Sequence, residues 1–141
     1  MAEPYSLALL DALKTMLQAA VPGIAEFEIM PAGDPAKFPS LHIIDRGENV
    51  IRQYPDLVEA SMAVLLRGHV QNNWKSARQM DADLCAALAS DPQIGGRAVD
   101  ATLGGLDIET VQIDSRGRTT AFQRLINIRY TYRATSPDKN F

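Results

Sequence analysis

The sequence has one cysteine, Cys85, and two histidines, His42 and His69, among its 141 residues. A lone cysteine closes no internal disulfide, so the fold has to be held by its core. The surroundings Asp83-Leu84-Cys85-Ala86-Ala87 are those of a small packed hydrophobe in a helix, as in a protein that folds in a reducing cytoplasm. One cysteine and two separated histidines match no metal-ligand spacing. Nucleophilic catalysis needs a base within reach of the nucleophile. Both histidines lie in strand-like patterns, with no neighbouring carboxylate in the sequence and no Gly-x-Ser-x-Gly elbow. Nor does the chain contain Gly-x-Gly-x-x-Gly or a P-loop; its pairs Gly95-Gly96 and Gly104-Gly105 read as turns. No apolar run approaches the roughly 18 residues of a membrane span, and no basic segment followed by an apolar core opens the chain. The expectation is a soluble, unprocessed protein without a cofactor. Aromatic residues make up only 6% of the chain. Tyr130 and Tyr132 alternate with Arg129 and Arg133, which places rings and charges on opposite strand faces and argues against a stacking surface for nucleic acid.

Paired carboxylates are the remaining route to acid–base chemistry. Asp81 and Asp83 lie two apart in a helical pattern, about 200° around the axis, and cannot converge. Glu26 and Glu28, like Asp107 and Glu109, share a strand face, where they can hold a cation or a proton or simply face water. No catalytic or metal-binding set emerges.

What is present is enough apolar material for one core. Hydrophobic residues are 46% of the chain, which suits a single domain over residues 1–141. The net charge of −3 hides an asymmetry: residues 1–115 carry net −8, and Arg116 to Phe141 carry net +5. An acidic body with a basic end suits an oriented contact between copies, or with an acidic neighbour, better than nucleic-acid binding.

Pro4 precedes Leu7, Leu10, Leu13, Leu17 and Ala20 at helical spacing, and Pro22-Gly23 stops the helix. Phe27 and Ile29 alternate with Glu26 and Glu28 as in a half-buried strand. After the turn-rich Pro31 to Pro35, a short strand is predicted at Leu41 to Ile44. Asp45 to Pro55 reads as a loop or projecting hairpin arm. Met62, Val64, Leu66, Gly68 and Val70 share one face of the next strand. Asn72-Asn73 offers a cap for a helix from about Lys75 to Ser90 with an apolar stripe Ala77, Met80, Leu84, Ala87 and Leu88. Strands at Ala98 to Leu103 and Asp107 to Asp114, a hairpin turn at Ser115 to Arg118, and a long strand Ala121 to Arg133 follow. Phe122, Ile126, Ile128, Tyr130 and Tyr132 form the apolar face of that last strand. Arg124 breaks this face, which predicts that the start of the strand extends past the core. Residues 135–141 read as loose or docked on a partner. The predicted class is α+β: a mainly antiparallel sheet with two helices on one face and a projecting arm.

Four pieces of the second half, Met62 to Val70, Met80-Asp81-Ala82-Asp83-Leu84, the stretch Leu88 to Gly96 (LASDPQIGG) and Leu125 to Tyr132, taken together resemble the tail-terminator (tail-completion or minor tail) proteins of long-tailed bacteriophages and prophages. The first half matches in outline only: an opening helix, Pro39-Ser40-Leu41 leading into a strand, and an arm. The resemblance implies a virion structural protein, folded in the host bacterial cytoplasm, that sits at the head-proximal end of the tail. There it forms a homohexameric ring, caps the tail tube, ends its polymerisation and offers a joining surface to head-completion proteins. Its implied partners are other copies of itself, the tube protein and the head–tail connector. Sequence-specific nucleic-acid binding, membrane contact and enzymatic activity are not implied. The interface candidates are Arg46, Glu48, Arg52 and Tyr54 in the arm, Arg116 and Arg118 in the turn, and Arg124, Arg129 and Arg133 on the last strand, arginine being suited to bidentate carboxylate contacts. Two other readings remain open: another head–tail joining or tail-tube ring, and a small non-viral ligand-binding domain with a pocket under the arm.

Overall fold

The computed structural model describes residues 4–71, 74–112 and 118–134. Helix α1 spans Tyr5–Ala20 and buries Tyr5, Leu9, Leu10, Leu13 and Leu17. The buried stripe thus runs through Leu9 where the spacing pointed to Leu7, which is exposed, as is Ala20. Leu9, Leu10, Leu13 and Leu17 lie on the core side at 0–2% exposure, each stabilising the fold by roughly 2 kcal/mol. Strand β1 (Glu26–Ile29) follows, then β2 (Ser40–Gln53), β3 (Leu57–Val70), helix α2 (Trp74–Ser90), β4 (Asp100–Gln112) and β5 (Arg118–Arg133).

The five strands form one sheet in the order β1-β2-β3-β5-β4. Only the β1–β2 pair is parallel; the rest are antiparallel. Central β3 alternates from Leu57 to Gly68; His69 near its end is buried on the other face, and the even-numbered residues from Val58 to Val70 are all buried. They meet α1 and α2, which cover the same face, so the class is α+β with both helices on one side.

Three expectations are corrected. Residues 45–53 are not a loop: they continue β2, paired with β3 as far as Gln53↔Val58. Register shifts between Asp45 and Glu48 and between Val50 and Arg52 break the period-two pattern that would have revealed a strand. Gly47 sits in the first of these irregularities at φ 102°, a conformation that costs glycine nothing. Gly104-Gly105 is not a turn between two strands. It is a bulge inside one continuous β4, opposite Arg124 to Ile126, where a side chain on Gly104 would press to 3.0 Å of Leu125. Finally, the start of β5 does not overhang the core, since Thr119, Ala121 and Phe122 are all buried.

Phe122 explains the glycine near the end of β3. Gly68 stands directly across from it, and the Phe122 ring occupies the space that a β-carbon at Gly68 would need. One ring lying over one bare backbone thereby adds a specific contact to the alternating apolar faces that set the register of β3 against β5. The predicted cap Asn72-Asn73, most of the turn at 115–118 and the tail at 135–141 lie outside the described residues.

Candidate functional site

The strands are not of equal reach. β4 begins its pairing at Asp100↔Arg129, and β1 covers β2 only from Ser40 to Ile43. Past those points β2, β3 and β5 run on together through Gln53, Leu57 and Arg133 as a three-stranded tongue. The backbone N–H of Tyr54 donates to the carbonyl of Leu57, and that of Ala134 to Asp56, closing the tip. Among the described residues no strand pairs with the outer edge of β2 beyond Ile43. This edge is an open hydrogen-bonding template. It also carries Val50, Ile51 and Tyr54 at 55%, 48% and 47% exposure. Three large apolar side chains thus lie together where the backbone is unpaired, a combination that suits a contact surface, while Leu7, Met30, Trp74, Val99 and Leu103 are exposed elsewhere.

The structure separates the sequence-selected residues into two groups. Arg46, Arg52, Tyr54 and Arg118 are exposed, and Arg52 donates from Nη1 to the Tyr54 hydroxyl at 3.2 Å. Glu48, Arg124, Arg129 and Arg133 are engaged within the chain, Glu48 and Arg133 while also exposed. Arg124 turns inward: Nε and Nη2 donate to the two carboxylate oxygens of Asp81 at 2.9 and 2.6 Å, and Nη1 donates to the carbonyl of Gly104 at 2.9 Å. A charge on the apolar face of β5 is thus neutralised by a buried aspartate on α2. Arg129 pairs with Asp100 at 2.6 Å and Glu59 at 3.6 Å. Arg133 pairs with Asp56 at 3.5 Å at the tip. Glu48 accepts a short hydrogen bond from the Tyr130 hydroxyl, and burial together with that carboxylate pushes the phenol far above its ordinary pKa. Tyr130 stacks between Tyr5 and Tyr132, with centroids 6.1 and 6.0 Å away, so the base of the tongue is a rigid aromatic layer. Arg116 lies outside the described residues.

On the helix-free face the sequence missed a polar cluster. Parallel pairing of β1 with β2 brings Glu26 within 2.6 Å of Nε2 of His42, although the two are 16 positions apart. His42 therefore does have a carboxylate beside it, supplied by a non-local strand pair. Burial alone would raise the Glu26 carboxyl, but hydrogen bonds from His42 and from the backbone N–H of Ala36 outweigh it and hold the pKa below the ordinary value. His69 lies 6.3 Å from His42, ring to ring, and is 1% exposed. Its burial, with Arg67 and His42 nearby, pushes its pKa down to about 4. It stays neutral near pH 7, and its Nδ1 has no hydrogen-bond partner among the described residues. Two strand histidines in adjacent segments were the signal available in the sequence; which face each occupied depended on register.

A groove of about 360 Å³ opens at the end of the molecule opposite the tongue. Val21 and Ile24 after α1, Phe38 before β2, Val70 at the end of β3, and Met80 and Asp83 on α2 line it. Asp83 is its one charged lining residue among those described, and it accepts a hydrogen bond from Gln79 at 2.9 Å.

No family model matches the chain, and no curated protein matches it. Among solved structures it is similar to the one described as "Structure of bacteriophage SPP1 gp17 protein", at 15% identity over 88% of this chain and 86% of that chain, with a TM-score of 0.44.

Proposed function

We propose that this chain is a structural, non-enzymatic virion protein of a long-tailed phage. In this reading its copies associate head to tail into a ring that caps the tail tube, ends tube growth and presents a surface to head-completion proteins. The observation that carries it is the tongue. The β2–β3–β5 tongue runs on past β1 and β4 and places Val50, Ile51 and Tyr54 together along an edge of β2 that no described strand pairs with. Monomeric proteins usually blunt such an edge, whereas a ring can cover it with the neighbouring subunit. The stretch Leu88 to Gly96 and the closing Tyr-Thr-Tyr-Arg, with their resemblance to tail terminators, supply the biological context.

Two sets of ion pairs, one buried and one partly exposed, fit a scaffold role. Arg124 with Asp81 ties α2 to the sheet, and Arg129 with Asp100 and Glu59 ties three strands together at the root of the tongue. A rigid root lowers the entropy lost when the tongue is immobilised against a neighbour. Negative-stain electron microscopy of the purified protein tests the proposal. Closed rings of uniform diameter support it, and stacked tubes would assign the chain to the tube-subunit class instead.

A further inference from the structure

We propose that the tongue tip of one copy, Tyr54 with Arg52, docks into the groove lined by Val70, Met80 and Asp83 at the opposite end of a second copy. The inference rests on the ring reading and names the surface that receives the tongue. The tip and the groove belong to the two ends of β3, whose 14 residues span roughly 45 Å. One copy therefore cannot fill its own groove; in the ring reading each tip enters the groove of the next copy, a heterologous contact.

The chemistry of the two surfaces matches. The tip offers a half-exposed phenol ring beside a guanidinium, and the 3.2 Å bond from Arg52 to the Tyr54 hydroxyl already holds the pair together. The groove offers an apolar floor from Val21, Ile24, Phe38, Val70 and Met80, and a single carboxylate at Asp83. Its 360 Å³ falls within the range of sites that enclose a ring-sized group. Asp56, the acidic residue at the tip, is engaged by Arg133, so Arg52 is the charge the tip presents outward. With the ring on the groove floor and the guanidinium against Asp83, one aromatic and one arginine anchor serve the contact. These two residue types dominate binding energy at protein interfaces. The Arg52–Tyr54 bond biases the pair towards one arrangement before docking, which reduces the entropic cost.

Cross-linking decides the matter. In a Cys85→Ser background, Gln53→Cys marks the tip and Gln71→Cys marks the rim of the groove, and neither change removes an anchor. The two single-cysteine proteins are mixed and treated with a short bismaleimide. The expected product is a tip-to-groove heterodimer, formed well above the yield from Gln53→Cys mixed with Asp107→Cys on β4. Adding Tyr54→Ala to the tip protein should weaken association about 30-fold, as loss of one central aromatic anchor does. Oligomers that persist while the groove mixture cross-links no better than the β4 control would overturn this contact and leave the ring reading standing. Folded monomers at every concentration would remove both.

Discussion

Arg124 and Asp81 meet as a bidentate pair across the boundary between β5 and α2, at 16% and 6% side-chain exposure. Each is an anomaly in its own element, an arginine on a strand's apolar face and an aspartate on a helix's buried stripe. Together they satisfy one another and the carbonyl of Gly104. Removing one partner strands the other charge in a poorly solvated site. Asp81→Ala should lower the unfolding free energy by about 3 kcal/mol, and the double variant Asp81→Leu/Arg124→Met should recover most of it. Urea denaturation of the two variants provides the check. Equal losses in both would mean that the pair acts only through packing.

The contact of Gly68 with Phe122 predicts a substitution whose sign runs against propensity. Alanine usually suits a strand better than glycine, yet Gly68→Ala should destabilise by about 2 kcal/mol, because its methyl enters the volume of the ring. Combining it with Phe122→Leu should make the two effects non-additive, since the smaller side chain leaves room. Additive losses in thermal or chemical melts would contradict the proposed steric conflict.

The paired arginine and the glycine beneath Phe122 also show which parts of the fold could be read from the chain. Both helices, the alternation in β3 and the apolar face of β5 follow from local periodicity, and the structure keeps them. Local periodicity fails where β2 bulges at 46–47 and at Ile51, and again at Gly104-Gly105. An added residue shifts the phase of alternation, so a single strand imitates a loop or two strands. Arg124 was legible as an exception and illegible in meaning, because its partner lies 43 positions away on another element. The same holds for Glu26 beside His42, which depends on the one parallel pairing in the sheet. The arm at residues 45–53 is one edge of the β2–β3 hairpin, and its openness depends on β1 pairing with Ser40 to Ile43 alone, which no local pattern encodes.

His69 gives stability a pH dependence with a defined window. Its folded pKa is about 4, below the ordinary 6.5, so between these values the unfolded chain binds a proton that the folded chain does not. Stability is therefore complete above pH 6.5 and falls as the pH drops towards 4, by about 3 kcal/mol in all. Replacing His69 with Gln should flatten the decline between pH 7 and 5, leaving only losses at lower pH from carboxylates such as Glu26. Urea midpoints measured across this range settle it; an equal slope in both proteins would contradict the assignment.

The tongue should separate folding from assembly. Ile51 and Tyr54 are about half exposed in one copy, so Ile51→Lys and Tyr54→Ala should each change monomer stability by no more than about 0.5 kcal/mol. Both should shift oligomers towards monomer by about 30-fold in concentration. Thermal melts paired with analytical ultracentrifugation compare the two effects; loss of fold in step with loss of assembly would mean that these side chains serve the core.

Mass photometry of the purified protein over a range of concentrations tests the central claim most directly. The account predicts one dominant closed species of hexamer mass that Ile51→Lys converts to folded monomer. A wild-type protein that is folded and remains monomeric at every concentration would contradict it.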